Sequence, residues 1–183
     1  MGPSADDEPR VSLRTSEETA RAVTGNPPVA PFTARRTELA VYRVLANSPR
    51  LLDAWLPLCD YFLEAPGLTA YEREVLILRT ANNCDSRYEW DKHEPKAAEA
   101  GISEADLTLI RGESPPGEPT TWLHTLLAFA DELHRHSTVT DATWAAIRER
   151  LDEAQALNCL MLVGQYHMLA FALNGAALTV EPD

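Results

Sequence analysis

The chain has 183 residues, 45% apolar and 24% charged, with 28 Asp+Glu against 16 Lys+Arg and a net charge of −12. That size and composition fit one ordinary globular domain, with or without an extension, that needs neither disulfide nor metal to fold. The acidic balance argues against nucleic acid, which needs a basic face, and against docking on an anionic membrane.

Apolar stretches such as 160–163 and 168–173 fall well short of the about 20 residues that span a bilayer. The opening MGPSADDEPR has no basic or apolar leader pattern, so a cytoplasmic location is expected. Cys59, Cys84 and Cys159 form no CxxC, and no Cys/His group has zinc spacing. Reduced thiols and no metal are expected.

Residues 1–35 read as a proline-rich, partly extended arm. Thr15-Ser16-Glu17-Glu18 is a capping box that opens a short helix to about residue 23. Gly25-Asn26-Pro27-Pro28 ends it, and Pro31 keeps the next residues extended. From residue 36 the pattern is helical almost throughout, and a domain is expected over 36–175 with a tail over 176–183.

The first helix of that domain is placed at 36–46. Ser48-Pro49 opens the next, with Leu51, Leu52, Trp55, Leu58, Cys59 and Phe62 at helical spacing, and Pro66-Gly67 stops it. The box Thr69–Glu72 opens a third, broken at 82–85. Asp85 or Ser86 caps a helix to about residue 100, with Gly101 beyond its end. Ser103 starts a short helix that Gly112 and the turn 114–117 terminate. Longer helices are placed at 120–136, 141–153 and 154–174. The last is apolar nearly all round, which marks a central helix or an interface. No two-residue alternation persists anywhere, so the chain is expected to be all-α, with about eight helices.

The chemistry-bearing stretch is Glu74, then Ser86-Arg87-Tyr88-Glu89-Trp90 and His93. At about 100° per residue, positions 86 and 93 lie within about 20° of each other, with Glu89 about 60° away and one turn from His93. A carboxylate and an imidazole four residues apart on one face can share a proton. An antiparallel return of the chain brings Glu74 beside that face.

The spacing Glu74, Ser86, Glu89, His93 resembles the carboxymuconolactone decarboxylase / alkylhydroperoxidase D-like family, whose peroxidase branch reads E-x11-C-x2-C-x3-H. Here Ser86 and Glu89 stand at the two thiol positions, and Cys84 is two residues out of register. Tyr88-Glu89-Trp90 with His93 resembles the YEWxxH form of the decarboxylase-like members. Ala98–Ser103, Asp131-Glu132-Leu133, Val163–Tyr166 and Leu173-Asn174 also resemble that family, so the likeness covers roughly 38–175.

The resemblance implies a compact multi-helix bundle, a homo-oligomer (trimer or hexamer) and an active site near subunit boundaries. Without the thiol pair, dithiol peroxidase chemistry is not expected. The expected activity is that of a cofactor-independent lyase or isomerase acting on a small organic acid or lactone. His93, Glu89 and Glu74 would be its acid/base group. The motif demands no organic cofactor or metal.

Ser86 is a candidate polar group of the site. Tyr88 and Trp90 are candidate walls, with Trp90 about 40° from Ser86. Arg87 and Arg79 are candidates for a substrate carboxylate, because guanidinium matches it bidentately. His167 is a candidate to enter from a neighbouring helix. His124, His134 and His136 are assigned no chemistry. Two rivals remain: an oligomeric small-molecule-binding protein without catalysis, and a residual thiol antioxidant using Cys84.

Overall fold

The computed structural model describes residues 10–23, 34–64, 67–113 and 121–178. The turns expected at 25–28 and 114–117, and Pro31, lie outside them. Among the described residues the fold is all helical, without strands: α1 Ser16–Ala22, α2 Ala34–Glu38, α3 Ala40–Leu45, α4 Pro49–Glu64, α5 Ala70–Asn83, α6 Arg87–Glu99, α7 Glu104–Ile110, α8 Trp122–His136, α9 Asp141–Arg148 and α10 Glu153–Gly175.

The all-α expectation is met, with ten helices among the described residues where about eight were expected. The helix expected at 36–46 is two, because Leu39 is extended (φ −71°, ψ 129°) and interrupts it. The run expected at 141–153 stops at Arg148. Its successor starts with a reciprocal cap that the sequence pattern did not reveal: the Asp152 N–H donates to Gln155 Oε1 and the Gln155 N–H to Asp152 Oδ1, both at 2.8 Å. The boxes at Thr15/Glu18 and Thr69/Glu72 form as expected, and Ser103/Asp106 forms a third.

The chain divides into two compact units, one built on Gly67–Ala172 and the other on Pro3–Pro66 with Leu173–Asp183. In the second unit, α1 to α4 pack on one another. Ala40, Leu52, Leu56 and Phe62 are buried there, and Arg36 Nη1 meets the buried Asp60 Oδ1 at 2.5 Å. Residues 10–14 belong to this packing. The Arg14 N–H donates to Arg43 O (3.2 Å) and Asn47 Nδ2 to Ser12 O (2.7 Å).

The first unit is organised around α5, which packs on α6, α7 and α8. Val75, Leu76, Ile77 and Leu78 are consecutive and all buried, so α5 is covered on every side. The apolar pattern marked the last helix as central or an interface. In the structure α10 buries Ala156, Cys159, Leu162, Val163, Tyr166 and Ala170, while Leu157, Met161, Met168 and Phe171 remain exposed on its other side. By length and composition α10 is apolar enough to cross a membrane, with mean hydropathy 1.4 over its best window, of which 44% is buried. A core helix of a globular unit meets the same criterion.

Candidate active site

Three helices supply one buried polar cluster. The Thr69/Glu72 cap fixes the start of α5, and Glu74 lies in its first turns. Cys84 ends α5, Asp85 takes a left-handed backbone (φ 51°), and α6 begins at Arg87. This tight return lays α6 against α5 and turns Glu89 and His93 inward. Glu74 and Glu89 are each 2% exposed, and His93 is 6% exposed.

His93 Nδ1 lies 2.7 Å from Glu74 Oε2. Its other nitrogen, Nε2, lies 3.3 Å from the Tyr166 hydroxyl of α10, and the two rings meet edge to face at 5.2 Å. The second Glu74 oxygen accepts from Arg73 Nε at 3.2 Å. Burial alone would raise the Glu74 carboxyl. The hydrogen bond and charge of His93, with Lys96 and Arg73 behind them, hold it below its ordinary value. For His93 burial is the largest influence and lowers its pKa, against the opposing hydrogen bond to Glu74. The consistent state is an ionised Glu74 accepting from Nδ1–H of a neutral imidazole, whose Nε2 lone pair accepts from Tyr166 O–H.

Glu89 is different. Among the described residues, neither of its oxygens has a hydrogen-bond partner, nor has the Ser86 hydroxyl one turn before it. Burial is the larger influence and pushes the Glu89 carboxyl up to about 8, against the opposing influence of the nearby Ser86 hydroxyl, which lies outside hydrogen-bond geometry. Near neutral pH it is chiefly a carboxylic acid, a proton donor on the same helix face as the imidazole.

Glu74 and His93 are thus brought into contact, Glu89 is buried one turn before His93 on the same helix, and Ser86 is buried at that helix's start. The other candidates are elsewhere. Tyr88 is buried with Lys92 Nζ 5.5 Å from its ring centre. Trp90 carries the Arg111 guanidinium on its face at 4.9 Å. Arg87 is exposed and meets Asp91 at 3.5 Å.

Arg79 is fully engaged inside the protein. Its Nε and Nη2 donate to the two oxygens of Asp131 (2.6 and 2.7 Å), and Nη1 donates to Ile110 O (2.7 Å). Asn83 Nδ2 adds a bond to Asp131 Oδ1 at 2.9 Å. An open cavity of about 510 Å³ beside this knot is lined by Arg79, Leu109, His124, Ala128, Asp131 and Thr143, and by none of the Glu74–Glu89–His93 group.

His167 also departs from expectation. It turns to His134 (Nε2 to Nδ1, 2.9 Å), while its neighbour Tyr166 meets His93. One residue is about 100° around a helix, so choosing the histidine of Tyr166-His167 selects the wrong face. The signal available in sequence was the buried stripe of α10: a tyrosine on such a stripe needs a partner for its hydroxyl. Comparison with protein-family models, with curated proteins and with solved structures returns no match.

Proposed function

We propose that the chain is a lyase or isomerase of the carboxymuconolactone decarboxylase / alkylhydroperoxidase D-like kind. It would move a proton to or from carbon next to the carbonyl of a small organic acid or lactone, without an organic cofactor. The observation that carries this reading is the buried Glu74–His93–Tyr166 chain.

In this reading substrate displaces the Tyr166 hydroxyl from Nε2. The 3.3 Å contact is long, so little is lost. Nε2 then takes the α proton, and Glu74 stabilises the imidazolium that forms. The C–H electron pair becomes the enolate, whose oxygen accepts a hydrogen bond from protonated Glu89. Return of the proton to a different carbon gives isomerisation. In decarboxylation the C–C electrons enter the carbonyl instead, CO2 leaves, and the proton that the carbon takes up comes from the neutral Glu89 acid, which solvent then reprotonates.

Thiol chemistry has little support. Burial first, then Glu89 and Asp85, push the Cys84 thiol up to about 11, where little thiolate exists at neutral pH. The proposal includes a cytoplasmic homo-oligomer, trimer or hexamer. The exposed apolar side of α10 supports self-association.

The test is deuterium exchange from D2O into a panel of β-keto acids and unsaturated lactones, monitored by NMR. The wild type should exchange or convert at least one compound, and His93→Ala should not. If such acids bind yet neither protein exchanges or converts any, the chain is a binding protein and the catalytic reading is wrong.

A further inference from the structure

Away from the acid/base group, three ligating side chains meet that lie far apart in sequence. Cys84 stands at the C-terminal end of α5, His134 in the last turn of α8 and His167 on α10. Cys84 Sγ is 4.0 Å from His134 Nδ1, and His134 Nδ1 is 2.9 Å from His167 Nε2. All three ligating atoms lie within 4.8 Å of one another. We propose that Cys84, His134 and His167 form a binding site for a zinc-class divalent transition metal ion.

Tetrahedral zinc, with Zn–N of about 2.0–2.1 Å and Zn–S of about 2.3 Å, separates its ligand atoms by about 3.3 Å (N to N) and about 3.6 Å (N to S). The observed 2.9 and 4.0 Å bracket these values, so small side-chain rotations seat the ion. One thiolate and two imidazoles are a donor set that selects zinc or copper over magnesium or calcium.

His167 Nδ1–H donates to Val163 O at 2.9 Å, which leaves Nε2 with its lone pair toward the cluster. His134 holds a proton between the two rings. On metal binding that proton moves to its outer nitrogen, the Cys84 thiol releases its proton to solvent, and two N–metal bonds and one S–metal bond form. His134 is exposed, so a fourth position is open to water. The acid/base reading neither needs this ion nor supports it.

Cobalt(II) titration of the full chain is the direct probe, with zinc affinity measured by competition against a chromophoric chelator. One equivalent of cobalt should give the intense visible bands of a tetrahedral ion and a thiolate-to-cobalt charge-transfer band. Cys84→Ser should abolish the charge-transfer band. His134→Ala and His167→Ala should each weaken zinc binding at least tenfold. His136→Ala and Cys59→Ser should leave it unchanged. His134 is exposed, so H134A is not expected to unfold the chain, and circular dichroism checks each variant. A missing charge-transfer band in the wild type, its survival in Cys84→Ser, or zinc affinity untouched by His134→Ala and His167→Ala would overturn the assignment.

Discussion

Glu89→Gln should stabilise the protein at pH 8 and leave it almost unchanged at pH 4. The folded carboxyl titrates at about 8 against 4.5 for the exposed group. Below about 4.5 both folded and unfolded chains hold the proton. Between 4.5 and 8 the unfolded chain releases it and the folded one keeps it, so rising pH favours unfolding. Above 8 the penalty is complete, because the folded state must ionise a buried, unpartnered carboxylate.

At about 1.36 kcal/mol per pKa unit, the stability lost through this window is on the order of 5 kcal/mol. Glutamine keeps the shape and never ionises. Thermal melts from pH 4 to 9 should show wild type and E89Q diverging across this window, by roughly 10–20 °C at its upper end. Parallel curves would mean that Glu89 ionises normally and is not the neutral donor assigned to it. Glu74 and His93 titrate with the opposite slope, since their lowered pKa values make stability fall as pH drops. Their contributions cancel in the difference between the two proteins.

Glu74→Gln should cut kcat by about 10²–10⁴ while moving KM little, the span general base catalysis commands. The substitution keeps the volume of the side chain. It removes the charge that stabilises imidazolium and offers an amide in place of the acceptor that fixes Nδ1–H. Steady-state kinetics on a compound found by the exchange screen measures the first effect. Nitrogen-15 shifts of His93 measure the second without any substrate, since they report which ring nitrogen carries the proton. Equal turnover by the two proteins, or an unchanged tautomer, would remove Glu74 from the role.

Much of the helical framework was legible because its signals are local. Thr69 with Glu72, and Gly101 with its positive φ of 81°, act within one turn, and both appear where expected. The same locality explains Glu89 and His93, four apart on one helix. Glu74 was reachable because α5 and α6 are joined by a tight return.

The failures are long-range. Arg79 looks like a free guanidinium until α8 brings Asp131 to it, 52 residues away. Tyr166 and His93 are 73 residues apart, and no periodicity pairs them. Cys84, His134 and His167 have no motif spacing, because each comes from a different helix. Leu39 is extended between two runs that the local pattern reads as one helix.

Arg79 joins α5 to the last carbonyl of α7 and to the Asp131 carboxylate of α8 through a single rigid fork. Parts tied by one fork cannot loosen one at a time, so these helices form a single cooperative opening unit. In native-state hydrogen exchange, the slowest amides of α5, α7 and α8 should share one opening free energy. Lysine has a point charge where arginine has a planar fork, and it cannot hold both ties at once. Arg79→Lys should therefore free the α7 amides to exchange at least tenfold faster, ahead of those in α5 and α8.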